Sequence, residues 1–188
     1  MDMMNLMRRV FRLLNKFFMV PLFRLGMGPF IGNPITGYIM VIKNVGRKTG
    51  KIRYTPVNYA IRDGYVYCMA GFGKVTHWYK NLKANPSAEL ILPSGPIAVL
   101  MEEVSDQDEV VAISQQLLIN TGLAAMLEGL VPFKKVPEDR IINTLVKRGV
   151  PLLRFRPTGV GSGASDPSGW LWITMTALTL LVLYFLLR

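Results

Sequence analysis

Short connections between apolar runs constrain this chain more than any other feature. Tyr38–Val45, Ile52–Ile61 and Tyr65–Gly71 are rich in β-branched and aromatic residues and read as strands. Asp63-Gly64 is a two-residue hairpin turn between the last two. A parallel neighbour needs a crossover of about a dozen residues or more, so these connections call for antiparallel pairing. Ala88–Leu92 and Ile97–Val104 form another hairpin about Pro93–Pro96, and Pro151–Arg156 reads as a last strand. Pro56 marks the second strand as an edge or a bulge. Strands outnumber helices, and no strand–helix–strand rhythm repeats. The expected fold is mainly β within the α+β class: a small antiparallel barrel with peripheral helices. Those helices are a short His77–Ala84, with Thr76 at its cap, a second from Ser105-Asp106-Gln107-Asp108 to about Leu118, and Pro137–Lys147.

The chemistry concentrates in Asn44–Pro86. Its first part, Asn44-Val45-Gly46-Arg47-Lys48-Thr49-Gly50-Lys51-Ile52-Arg53, is a tight loop with two glycines, a hydroxyl and four cations. Glycines let backbone N–H groups turn toward an anion, and Arg and Lys neutralise it. The spacing excludes a Walker A loop. The chain carries 22 Lys and Arg against 12 Asp and Glu, a formal charge of +10, which suits an anionic partner. Nucleic acid is not expected, because the cations sit in one loop and one amphipathic segment instead of a stripe interleaved with stacking aromatics. The single cysteine, Cys68, excludes an internal disulfide and reads as a buried structural thiol. No Cys/His cluster exists, so no metal site is expected. His77 is the only histidine, and two roles stand open for it: a helix-start or surface residue, or a proton donor.

Residues 1–28 are apolar with interspersed Arg8, Arg9, Arg12, Lys16 and Arg24, interrupted at Pro21. This amphipathic helical segment either lies on anionic lipid or packs on its own domain. Gly26–Gly37 reads as a loop. Residues 158–169 are a Gly/Ser/Pro linker, and Trp170–Leu187 is an uncharged run of 18 residues with aromatics near its ends. The expectation is a transmembrane tail anchor, with the preceding basic domain, residues 29–157, on the cytoplasmic side of the cell membrane.

Three motifs in order, Gly46-Arg47-Lys48-Thr49-Gly50-x-x-Arg53, Thr55-Pro56-Val57-Asn58-Tyr59 and Trp78-Tyr79-x-Asn81-Leu82-x-x-Asn85-Pro86, resemble the deazaflavin-dependent nitroreductase and quinone reductase family. The resemblance covers roughly Tyr38–Pro157. It implies a split β-barrel like that of FMN-binding oxidases. It also implies an oxidoreductase using the reduced 8-hydroxy-5-deazaflavin coenzyme (coenzyme F-420), with quinone-like or nitro acceptors. Arg47, Lys48, Thr49 and Arg53 would then hold the coenzyme's phosphate and acidic tail. Tyr54, Thr55, Pro56, Val57 and Asn58, with Met69, Ala70, Gly71 and Phe72, would line the ring system. His77, Trp78, Tyr79, Lys80 and Asn81 would close the other side, with Lys74 adding charge where Phe72 replaces a common lysine. The chain has no tyrosine between Tyr79 and Tyr184, which favours a quinone over a nitro prodrug. The acceptor pocket is expected to be apolar, with Met126, Leu127, Leu130 and Phe133 as its lining. Partners would be a lipophilic acceptor and membrane lipid, and the hairpins leave a homodimer open. Two alternatives stand beside this reading: the same barrel carrying FMN, heme or another tetrapyrrole, and a non-enzymatic basic module at a membrane surface.

Overall fold

The computed structural model describes residues 13–25, 27–31, 37–122, 144, 149–163 and 171–187. Seven strands form one antiparallel sheet: β1 (Ile39–Val45), β2 (Ile52–Asn58), β3 (Ala60–Arg62), β4 (Tyr65–Met69), β5 (Ser87–Leu92), β6 (Gly95–Glu103) and β7 (Leu152–Val160). The described helices are α1 (Val20–Arg24), α2 (Gly28–Ile31), α3 (His77–Ala84), α4 (Gln107–Asn120) and α5 (Leu171–Leu186). The strand order is β2-β1-β5-β6-β7-β4-β3. β2 and β3 therefore occupy opposite edges, although Tyr59 alone separates them in the chain. The sheet has to curl until its edges approach at that residue, which gives it an inside and an outside.

Side-chain alternation fills both faces. Met40 and Ile42 of β1, Val66 and Cys68 of β4, Leu90 and Leu92 of β5, and Leu153 and Phe155 of β7 share the inner core with Tyr79 and Leu82 of α3. The intervening residues face outward and are covered. Tyr67 and Leu152 pack under Ile113 and Leu117 of α4. Val41 and Ile91 pack under Phe23 of α1. Met19 and Phe23 of the N-terminal segment thus pack on the domain, while Leu13, Leu14, Phe17 and Phe18 stay exposed. Pro21 lies in the first turn of α1, where its missing N–H is tolerated. The turn before it, Asn15–Met19, widens to the π pattern, with the Val20 N–H donating to the Asn15 carbonyl. α2 supplies a helical turn inside the expected Gly26–Gly37 loop.

Local chemistry sets the other boundaries. Asp63 and Gly64 both take positive φ, 51° and 79°, as a two-residue hairpin turn requires. The expected continuous strand Ile52–Ile61 breaks at Tyr59. Its N–H donates to the Tyr38 carbonyl at 3.1 Å, and its own carbonyl accepts from Asn120 Nδ2 at 2.9 Å. α4 opens with Asp106 accepting from the Glu109 N–H at 2.8 Å. β7 runs past Arg156 to Val160, because Pro157 falls opposite Val99 at a register shift where its missing donor is tolerated.

The C-terminal anchor is overturned. Among the described residues no helix is long and apolar enough to cross a membrane. α5 has 16 residues, about 24 Å at ~1.5 Å per residue, against a hydrocarbon core of ~30 Å. Its sequence also carries Thr174, Thr176 and Thr179, so the uncharged run is less apolar than its length suggests. The transmembrane element of the expected fold and the single-pass location in the cell membrane fall together. The expected helix Pro137–Lys147 and the acceptor lining Met126, Leu127, Leu130 and Phe133 lie outside the described residues.

Candidate active site

The basic loop between β1 and β2 closes on itself. The Gly46 N–H donates to the Lys51 carbonyl at 2.9 Å, and the Gly50 N–H donates to the Gly46 carbonyl at 2.8 Å. Gly50 takes φ +64°, and a Cβ on Gly46 would stand 3.2 Å from the Lys51 carbonyl and 3.3 Å from Thr49 Oγ1. The tight turn leaves Arg47, Lys48, Thr49, Lys51 and Arg53 exposed. The Arg53 guanidinium donates to Thr49 Oγ1 at 3.5 Å. Among the described residues, Lys48, Lys51 and Arg53 pair with no carboxylate, whereas Lys43, Lys83, Arg154 and Arg156 all do. A dense cationic turn without counter-charges fits a ligand bearing phosphate or carboxylate.

The same loop is fastened to α3. Arg47 Nη1 donates to Asn81 Oδ1 at 2.9 Å and to the His77 carbonyl at 3.4 Å, and the Arg47 N–H reaches Asn81 Oδ1 at 3.3 Å. Asn44 Nδ2, from β1, donates to the Trp78 carbonyl at 3.3 Å. Asn44 and Asn81 are both buried, at 3% and 6% exposure. Asn44 Oδ1 is buried with no hydrogen-bond partner. Two motifs more than 30 residues apart in the chain therefore meet at one mouth of the barrel.

α3 seats this arrangement on the core. Tyr79 and Leu82 are buried, Trp78 is half-buried against the inner core, and His77 and Lys80 are exposed. Thr76 occupies the cap position, but its hydroxyl donates back to the Gly73 carbonyl at 3.0 Å and makes no side-chain cap bond. The Tyr79 hydroxyl donates to Glu103 Oε2 at 2.9 Å, which also accepts from Lys83 Nζ at 3.0 Å. Burial raises the Tyr79 pKa, and the bond to Glu103 adds to the rise, to about 12. Burial also pushes the Glu103 carboxyl up, but the bonds from Lys83 and Tyr79 and the charges of Lys83 and Lys74 outweigh it, and the net shift is down.

The strand residues expected around a ring system divide between faces. Val57 joins the inner core, together with buried Ala70. Tyr54 packs outward on the Phe23 cluster under the Arg24 guanidinium, 5.7 Å from its ring, and Met69 packs outward on the α4 cluster. Thr55, Pro56 and Asn58 are half-buried along β2, Gly71 is exposed and Phe72 half-buried. The Ala70 N–H donates to the Pro151 carbonyl at 2.9 Å. Beside this segment lies a cleft of about 460 Å³, lined by Lys74, Glu103, Val104, Val110, Val150 and Leu152 among others. Buried Cys68, its thiol pushed up by burial, is a core residue. Asn44 and Glu103 belong to the constellation and were not expected from sequence. Asn44 had a signal in its place directly before the basic loop, whereas Glu103, 24 positions from Tyr79, had none.

Residues 22–120, more than half of the chain, match the model of the F420H(2)-dependent quinone reductase family. Among curated proteins none matches. Solved structures with a similar trace include an F420-H2 dependent reductase, 20% identical over 63% of this chain and 93% of that one, TM-score 0.42. Another is an F420 reductase, 19% identical over 69% and 90%, TM-score 0.42. A third is the heme protein HutZ of Vibrio cholerae, 14% identical over 74% and 88%, TM-score 0.41. The family match spans the basic loop, β1 to β6, α3 and α4. The chain belongs to the F420H(2)-dependent quinone reductase family and is an oxidoreductase whose coenzyme is the reduced deazaflavin.

Proposed function

We propose that this protein reduces a lipophilic quinone-like acceptor, with its catalytic body in residues 29–157. When bound, the reduced deazaflavin supplies a hydride from ring carbon, and the protein's task is to hold donor and acceptor in contact and exclude water. Lys48, Thr49, Lys51 and Arg53 receive the coenzyme's phosphate and acidic tail, on a loop whose base Arg47 ties to α3. Thr55–Asn58 of β2 and Ala70–Phe72 at the end of β4 flank the ring, and His77, Trp78 and Lys80 of α3 cover it, while Asn81 stays bound to Arg47. Exposed His77 at the start of α3 offers a proton to the reduced acceptor oxygen. The observation that carries this reading is the set of exposed loop cations without carboxylate partners, on a loop tied to α3. The cleft beside Lys74 has a mixed wall, with Val104, Val110, Val150 and Leu152 against Glu103, Ser105 and Gln107, and is a candidate place for the acceptor.

The test is steady-state turnover of the reduced coenzyme with a naphthoquinone. The expected result is quinone-dependent coenzyme oxidation, with Lys48→Ala and Arg53→Ala raising KM for the coenzyme more than they lower kcat. No oxidation with any quinone would reject the reading. The exposed row Leu13, Leu14, Phe17 and Phe18 beside Lys16 favours contact with acidic lipid as a second property. Co-sedimentation with anionic vesicles, lost on Phe17→Ser with Phe18→Ser, is the result expected; equal binding by the variant would reject it.

A further inference from the structure

Arg47 differs from the other loop cations. Its guanidinium is turned back onto α3, where Asn81 Oδ1 accepts from both its Nη1 and its backbone N–H, and the His77 carbonyl takes a further bond from Nη1. Asn81 is 6% exposed, so if the guanidinium turned away its acceptor oxygen would lose the 2.9 Å bond and keep only the longer one, 3.3 Å, from the Arg47 N–H. Asn44 adds a parallel tie from β1 to the Trp78 carbonyl. The loop and α3 therefore form one body, fixed on both sides by buried carboxamides.

We propose that Asn81 and Arg47 are positioning residues for coenzyme binding. This inference rests on the reading of the loop as the holder of the coenzyme's anionic tail. Asn81 orients Arg47, and Arg47 holds the turn 46–50 against α3. Lys48, Lys51 and Arg53 then stand as a preformed anion site at a set distance from the residues that cover the ring. Preorganisation of this kind raises affinity by removing an ordering step from binding. It affects the tail more than the ring, because the ring's own contacts lie on β2, β4 and α3.

The experiment is a double-mutant cycle on the intact protein with Arg47→Ala, Asn81→Ala and the pair. Two probes are titrated by fluorescence: the complete deazaflavin coenzyme, and its ring-bearing fragment without phosphate. The expected result is that each single variant weakens the complete coenzyme by about tenfold, the size of one charge-assisted hydrogen bond. The double variant should be no weaker than the poorer single variant, and the ring fragment should bind all four proteins alike. Additive losses, with Arg47→Ala much the larger, would overturn the proposal and make Arg47 a direct ligand. Equal weakening of both probes would overturn it in favour of a general structural role. Wild-type protein binding the ring fragment and the complete coenzyme equally would overturn the underlying assignment of the loop instead.

Discussion

Replacing Tyr79 by Phe removes one hydroxyl and tests how α3 is held on the barrel. That hydroxyl donates to Glu103 Oε2 at 2.9 Å from a residue only 6% exposed. A hydrogen bond to a charged group contributes about 1.5–3 kcal/mol. The Glu103 side chain keeps 27% exposure, so water replaces part of the lost bond, and the lower end applies. A loss of ~1.5 kcal/mol in a chain of this size lowers Tm by about 3–6 °C. Lys83→Met removes the other partner of the same oxygen, but Lys83 is 52% exposed and its loss should stay under ~1 kcal/mol. The folded Glu103 carboxyl titrates below its ordinary value, so its contribution is fully present above the unfolded pKa of ~4.3 and is lost as pH falls through the folded one. The gap between wild type and Tyr79→Phe should therefore be complete at neutral pH and shrink in acid. Thermal unfolding followed by circular dichroism at several pH values measures it. Equal Tm for wild type and Tyr79→Phe at neutral pH, or a larger effect from Lys83→Met, would refute the reasoning.

Three further outcomes are expected. Phe155 is fully buried in the inner core, so Phe155→Ala should cost about 3–5 kcal/mol and lower Tm by roughly 6–20 °C, read by the same melt. Asp106→Ala removes the cap of α4 and should shift the urea midpoint by the equivalent of ~1 kcal/mol. Tyr67 and Tyr79 are both raised to about 12, chiefly by burial and then by bonds to Glu109 and Glu103. Their contribution is complete below the ordinary value of 10.0 and disappears as pH rises through about 12, so ultraviolet titration should find them ionising together with unfolding.

The strands were legible because alternation and turn chemistry are local. Asp63-Gly64 announces its turn, and the residues of β1 divide between inner and outer cores as a period of two requires. The break at Tyr59 was not legible, since Tyr38 and Asn120 decide it from 21 and 61 positions away in the chain. The expected span failed for a related reason: an uncharged run bounds a helix but does not set where it begins and ends, and among the described residues the helix is Leu171–Leu186. At the site, the cationic turn was readable from its glycines and charges. The bond from Arg47 to Asn81 was not, because two residue types compatible with many partners meet only after the barrel forms.

The most direct test of the account is a fluorescence titration of the purified protein with the deazaflavin coenzyme and, separately, with FMN, repeated on Lys48→Ala with Arg53→Ala. The account predicts tighter binding of the deazaflavin than of FMN, weakened at least tenfold in the double variant, as loss of two phosphate-facing cations requires. Preference for FMN, or deazaflavin binding indifferent to both cations, would contradict the assignment of the loop as the coenzyme's anion site.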